Sequence, residues 1–267
     1  MPKFFCIFVP SCVVGHLWLI EVVYIYLKRI ELLLVMFRVG LGNKIGLIMT
    51  FVLLSHFLFS QQTYCGIDVS HHNGKINWTE VAKDKKIKFV YIKATTGATK
   101  TDDRYAYNIK NARANGFKVG SYHFFTSYSS AHKQFDNFKA VAKKASQDLI
   151  PMVDVESSLG KWTKKQIQDS LLVFMRLCKA HYGVYPMVYS GQNVYNKYLA
   201  PRFNKFHLML GKYNGKKPVI QGTGHYTVWQ YSETGKIKGI PENVDLSCFH
   251  SDYSVKNISM PKKKKKK

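Results

Sequence analysis

The sequence predicts an α/β barrel, TIM-like at its start and irregular at its end. Three observations lead there. After Gln61, short apolar runs alternate with helix-period segments over five units, the pattern of a parallel sheet with crossover helices. The last third changes character: it is rich in Gly and aromatics, its apolar runs are short, and it has little helical periodicity. Carboxylates fall where apolar runs end, which is where a barrel gathers its strand ends. A single barrel commonly takes roughly 200–250 residues, so one main domain is expected from the 267 present. No internal repeat is visible.

Residues 1–60 read as a hydrophobic leader rather than a folded domain. Residues 4–27 are mostly apolar, broken by Pro10, His16 and Glu21. A second apolar run, Ile45–Phe59, follows Arg38 and Lys44 and ends at Ser60, the layout of a secretory signal. On that reading translation starts at Met36; the rival reading is a membrane anchor. Either places residues 61–255, the expected barrel, outside the cytoplasm, by export to the medium or the cell envelope. Residues 256–267, which include the run Lys262–Lys267, read as a basic, disordered tail.

The expected strands, in order, are Tyr64–Val69, Phe89–Ala94, Lys118–Phe125, Ile150–Val155, Met187–Ser190, His207–Gly211, Thr227–Tyr231 and Asn243–Leu246, each a short apolar run with β-branched or aromatic residues. One helix carries Tyr105, Ile109 and Ala112; a second carries Ala131, Phe135, Phe138, Ala142 and Ala145 on one stripe. The longest opens at Thr163 with a capping-box partner at Gln166 and runs through Ile167, Leu171, Phe174, Met175 and Cys178. Gly116 and Gly183 stand where left-handed C-caps are expected. Glu233–Ile240, "ETGKIKGI", reads as a hairpin.

From Gln61 onward 35 Lys and Arg face 14 Asp and Glu, a balance of +21, or +15 without the six terminal lysines. Such a surface suits a polyanionic partner. Among five cysteines, Cys178 lies on an apolar helix face, and no spacing resembles a zinc site. Cys65 and Cys248 lie at the two ends of the barrel sequence, so barrel closure would bring them near one another; whether they pair is open.

Asp68 closes the first strand, Asp154 and Glu156 the fourth, and Asp245 the last. Side chains two apart on a strand share a face, so Asp154 and Glu156 point one way and Val153 and Val155 the other. Clustered, partly desolvated carboxylates raise one another's pKa and leave an acid protonated near neutral pH. A protonated carboxyl beside ionised ones is the equipment for glycosidic cleavage. Tyr122, Tyr189, Tyr213, Trp229 and Tyr231 occur near the same strand ends, where aromatic faces can stack on sugar rings, and Gln230 can donate to a substrate carbonyl. His71 and His72 are neighbours whose rings should diverge in an extended segment. His123 should face away from Tyr122, and all three read as hydrogen-bonded structural histidines. No Ser or Cys nucleophile arrangement, P-loop or dinucleotide fingerprint is present, so no metal or cofactor is expected. Aromatics placed with acids rather than lysines argue against nucleic acid, whose phosphates would be repelled there.

The ordered set "GIDVSHHNGKINW", Asp102 or Asp103 after "FVYIKATTG", "GFKVGSYHFF", "IPMVDVE", "YPMVYS", "VWQYS" and "GIPENVDLSCF" resembles glycoside hydrolase family 25, the Chalaropsis-type lysozymes, over Tyr64–Phe249. The resemblance implies a (β/α)5β3 barrel and cleavage of the β-1,4 bond between N-acetylmuramic acid and N-acetylglucosamine in peptidoglycan; a monomer is expected. It matches Glu156 to the proton donor, Asp154 to the carboxylate two before it, and Asp68 and Asp245 to the other active-site acids. The mechanism it suggests is retaining and substrate-assisted, with direct carboxylate attack or inversion as alternatives. Two departures stand out: Thr96 where the family often has an acid or amide, and "LMLGKY" (Leu208–Tyr213) where it often has a Trp. A non-catalytic glycan-binding barrel and another acetamido-sugar hydrolase are the competing readings.

Overall fold

The structure is a computed structural model that describes residues 64–156 and 159–261. The expectations for the leader and for Lys262–Lys267 fall outside the described residues. Among the described residues nine strands form: β1 (Gly66–Val69), β2 (Phe89–Thr96), β3 (Lys100–Thr101), β4 (Lys118–Phe124), β5 (Met152–Asp154), β6 (Met187–Gly191), β7 (Leu208–Gly211), β8 (Val228–Gly235) and β9 (Val244–Phe249). Eight close a ring in the order β1-β2-β4-β5-β6-β7-β8-β9, because β1 pairs with both β2 and β9. Neighbours from β1 to β8 are parallel. Strand β9 runs antiparallel to β8 and to β1. Strand β3 is a short flap paired to β2.

Five crossovers link the first six barrel strands, and the last three strands, β7 to β9, follow one another without long helices, as the sequence led us to expect. The crossovers are the single turn Trp78–Val81, the helices α1 (Tyr105–Ala114), α2 (Ala131–Val141) and α3 (Lys164–Tyr182), and a helical segment spanning 192–199. Helix α3 begins at the expected capping box, where the Thr163 hydroxyl accepts from the Gln166 amide, and ends at Gly183 with φ 85°. Its stripe Ile167, Leu171, Phe174, Met175 and Cys178 is buried. Helix α2 stops earlier than its stripe suggested: Ala142 leaves helical geometry at ψ 75°, and Ala145 is exposed in a following turn.

The core has two layers, set by strand alternation. Outward residues such as Val153, Val155, Val188 and Leu210 pack against the helices. Inward residues Phe89, Tyr91, Met152, Met187, Met209 and Val228 fill the barrel interior. Two glycines make room for the largest of these: a Cβ on Gly66 would lie 2.0 Å from the Phe89 ring, and one on Gly120 would lie 2.5 Å from the Tyr91 ring. The folded unit extends past 255, which corrects the expected boundary. Ile258 is buried in the barrel interior, its carbonyl accepts from the Ile150 amide at 2.8 Å, and the Met260 amide donates to Asp148 O at 2.9 Å. An apolar side chain at 258 can close the barrel floor, and that outweighs the basic character of its neighbours. Cys65 and Cys248 lie next to the paired residues Gly66 and Ser247, and no disulfide joins them. Among the described residues, no helix is long and apolar enough to cross a membrane.

Candidate active site

The mouth of the barrel is built by alternation, one inward side chain from each closing strand. Asp68 comes from β1, Lys93 from β2, Tyr122 from β4, Asp154 from β5, Tyr189 from β6, Gln230 from β8 and Asp245 from β9. Strand β7 contributes Gly211, whose missing side chain leaves space for the Tyr189 and Tyr213 hydroxyls. The register supports this ring: Asp68 lies opposite Asp245, Phe124 opposite Asp154, Asp154 opposite Tyr189, and Gly211 opposite Gln230. Asp245 therefore reaches the mouth from near the start of its strand rather than the end. The antiparallel run of β9 reverses its direction and still delivers the carboxylate to the same rim.

Local sequence holds Asp68 in place. Ser70 caps the turn His71–Asn73, and Gly74 leaves it at φ 72°. The Asn73 side-chain amide then donates to Asn243 O at 2.6 Å, tying this loop to the end of the β8–β9 connection, just before the strand that carries Asp245.

Gln230 organises the centre. Its Nε2 donates to Asp68 Oδ2 at 2.9 Å, while its Oε1 accepts from the Tyr189 hydroxyl at 2.7 Å and the Tyr213 hydroxyl at 2.5 Å. Two phenols on one side and a carboxylate on the other orient the amide. Trp229 does not join them. It belongs to the outer apolar layer, and its indole N–H is spent on Lys212 O at 2.8 Å. Trp229 and Gln230 are successive strand residues, so only one can face inward; Tyr231 follows Trp229 outward. The expectation that Trp229 lines a sugar site is thus corrected. Met209, in the stretch where the family often has a Trp, lies wholly inside the barrel. Thr96 pairs with Lys100 in the β2–β3 flap.

The acids sit on the apolar interior, and burial is the first cause of every shift among them. It pushes Asp154 well above the usual carboxylate range; the charges of Glu156 and Asp245 add to this, while Lys93 opposes it. Burial also raises Asp68 strongly, and Asp245 adds to the effect through charge and a hydrogen bond. The same hydrogen bond lowers Asp245, whose net shift is still upward through burial and Glu233. The two carboxyls are hydrogen-bonded to each other, and burial holds both above the usual carboxylate range. Glu156 is raised by burial, and Lys93 and then the Tyr189 hydroxyl oppose the rise. Asp154 Oδ1 is buried and has no hydrogen-bond partner among the described residues.

Lys93, Phe124 and Glu233 were missed in the sequence. Strand alternation held the signal for Lys93: in "FVYIK", Phe89 and Tyr91 face inward, so Lys93 must too. The histidines divide. His123 faces outward as expected, stacks on Phe174 at 4.9 Å and bonds to Thr95 and Gln134. His71 and His72 do not diverge: a 3-10 turn replaces the expected extended segment and brings their rings to 3.9 Å. His71 Nδ1 lies 2.6 Å from Asp102 Oδ2. Among the described residues, no group of three potential ligands is placed to hold a metal ion.

A model of the family described as glycosyl hydrolases family 25 matches residues 67–240. The uncharacterized protein YegX of Escherichia coli strain K12 is 31% identical over 192 residues, covering 70% of each chain. Lysozyme M1 of Streptomyces globisporus is 31% identical over 199 residues, covering 69% of this chain and 67% of its own. The crystal structure of the bacterial lysozyme from Streptomyces coelicolor superposes with a TM-score of 0.65 at 28% identity, covering 72% of this chain and 94% of that one.

Proposed function

The chain belongs to glycosyl hydrolase family 25, and from that premise we propose that it is an exported, monomeric lysozyme cleaving the N-acetylmuramic acid–N-acetylglucosamine β-1,4 bond of peptidoglycan by a retaining, substrate-assisted route. Membership makes it a glycoside hydrolase; the bond, the stereochemistry and the residue roles are our reading.

The observation that carries the mechanism is the orphan oxygen of Asp154. A buried acceptor without a donor costs about 1–3 kcal/mol, and it is the partner a 2-acetamido N–H requires. With the acetamide held there, its carbonyl oxygen attacks the anomeric carbon, and Asp154 stabilises the positive charge that develops. Glu156, two residues on and more exposed than Asp154, protonates the leaving oxygen as the glycosidic bond breaks. It then takes a proton from the water that opens the cyclic intermediate, giving net retention. Its raised pKa suits the first step and its access to solvent the second. Gln230, Tyr189, Tyr213 and the Asp68–Asp245 pair supply polar contacts for the sugar, and Tyr122 packs beside the acids. The basic balance outside the mouth favours attraction to anionic wall polymers; wall binding should weaken in high salt, and salt-independent binding would contradict that attraction.

The test is digestion of purified peptidoglycan with identification of the new reducing ends and their initial anomeric form. Muramic acid ends in the β configuration are expected. Glucosamine ends would assign a different bond, and an initial α anomer would remove the acetamide mechanism.

A further inference from the structure

Among the described residues, the mouth holds a cation that the mechanism above does not use. Lys93 lies on the inward face of β2, in line with Phe89 and Tyr91. Its Nζ rests 4.8 Å from the centre of the Phe124 ring, and Phe124 is paired in register with Asp154. No ion pair joins it to a described carboxylate, although its field reaches both Asp154 and Glu156. A half-buried ammonium close to acids, and parked on an aromatic face instead of against them, remains available to an anion arriving with the substrate.

Sugar chemistry names that anion. N-acetylmuramic acid bears its acetamide on C2 and a lactyl ether, ending in a carboxyl group, on the adjacent C3. With the acetamide held by Asp154, the C3 substituent projects to one side of that strand. Towards β6 and β8 stand Tyr189, Tyr213 and Gln230, already bonded to one another; towards β4 and β2 stand Phe124 and Lys93. We propose that Lys93 is a specificity-determining residue that pairs with the free lactyl carboxylate of the bound muramic acid, an inference that rests on the muramidase reading above. In wall glycan this carboxyl group is neutralised wherever an amide links it to a stem peptide. The enzyme therefore prefers strands whose peptides have been removed, and the reaction class that supplies its best substrate is hydrolysis of that amide.

The experiment compares kcat/KM on peptide-free glycan strands, supplied as free acids and as lactyl methyl esters, for the wild type, Lys93→Met and Lys93→Arg. A charge-assisted contact predicts about a tenfold or greater preference for the acid in the wild type, carried mainly by KM, kept by Lys93→Arg and reduced to near parity in Lys93→Met. The wild-type arm stands even if a variant folds poorly. Equal rates on acid and ester with the wild type would overturn the inference while leaving the muramidase reading intact, as would a preference that persists in Lys93→Met. Failure of the wild type to release muramic acid ends from either substrate would sink both.

Discussion

Replacing Gly211 by Ala puts one methyl group into the centre of the polar ring. The new Cβ would lie 3.0 Å from the Tyr189 hydroxyl, 3.0 Å from the Tyr213 hydroxyl and 3.3 Å from Gln230 Oε1. Each is closer than ordinary van der Waals contact, so something must give by a few tenths of an ångström. Gly211 does not use a positive φ, which makes the perturbation steric rather than conformational. Tyr213 is 45% exposed and can swing outward, whereas Tyr189 is buried and cannot. Losing one hydrogen bond to Gln230 costs about 1 kcal/mol, and leaving its buried oxygen under-satisfied raises this towards about 2 kcal/mol. For a domain of this size that is about 2–8 °C in Tm. Displacing Gln230 also moves Asp68, and a shift of well under an ångström should lower kcat/KM by about tenfold. Calorimetry and initial rates of wall clearing measure the two effects. Combining Gly211→Ala with Tyr213→Phe should recover part of both, because the second change removes one of the crowded oxygens. An unchanged Tm and rate in Gly211→Ala would refute the claim that this ring is tightly packed around Gln230.

Asp154→Asn should abolish most muramidase activity yet raise Tm at pH 7, because a buried carboxylate is expensive to ionise; a lower Tm would mean that its charge stabilises the fold. The upward-shifted acids Asp68 and Asp154 bind protons more tightly when folded, so their contribution to stability is greatest at low pH and is lost as pH rises above the ordinary carboxylate range. Urea titrations of Asp68→Asn and Asp154→Asn should show that part of the alkaline decline removed. His123 works in the opposite direction: burial lowers its pKa to about 4, so stability present above pH 6.5 is lost on acidification towards pH 4, about 3 kcal/mol at most. His123→Gln should flatten that limb, and an unchanged acid limb would contradict a neutral buried imidazole. Thr163→Ala removes the α3 cap and should cost about 1 kcal/mol, measured by thermal melting.

Much of the barrel was legible because its strands are short apolar runs whose alternation assigns each side chain to the interior or the helix layer. That same rule placed Asp154 with Glu156 and turned Val153 and Val155 outward. It also contained the answer for Trp229, which cannot share a face with Gln230, and for Lys93, whose inward position follows from Phe89 and Tyr91. What was not legible depends on partners distant in sequence. The antiparallel direction of β9, and hence the entry of Asp245 from the start of its strand, is decided by how the barrel closes. The close His71 and His72 rings depend on a turn capped by Ser70 and a carboxylate, Asp102, on another loop. The burial of Ile258 depends on an open barrel floor that no local pattern near it announces.

The central claim is that Glu156 carries the proton in glycosidic cleavage. It is tested most directly by the rate at which Glu156→Gln releases muropeptides from purified peptidoglycan, relative to the wild type and with matched melting temperatures. A glutamine can neither donate nor recover the proton, so a loss of about 10²–10⁴-fold is predicted. Release at the wild-type rate would contradict the account.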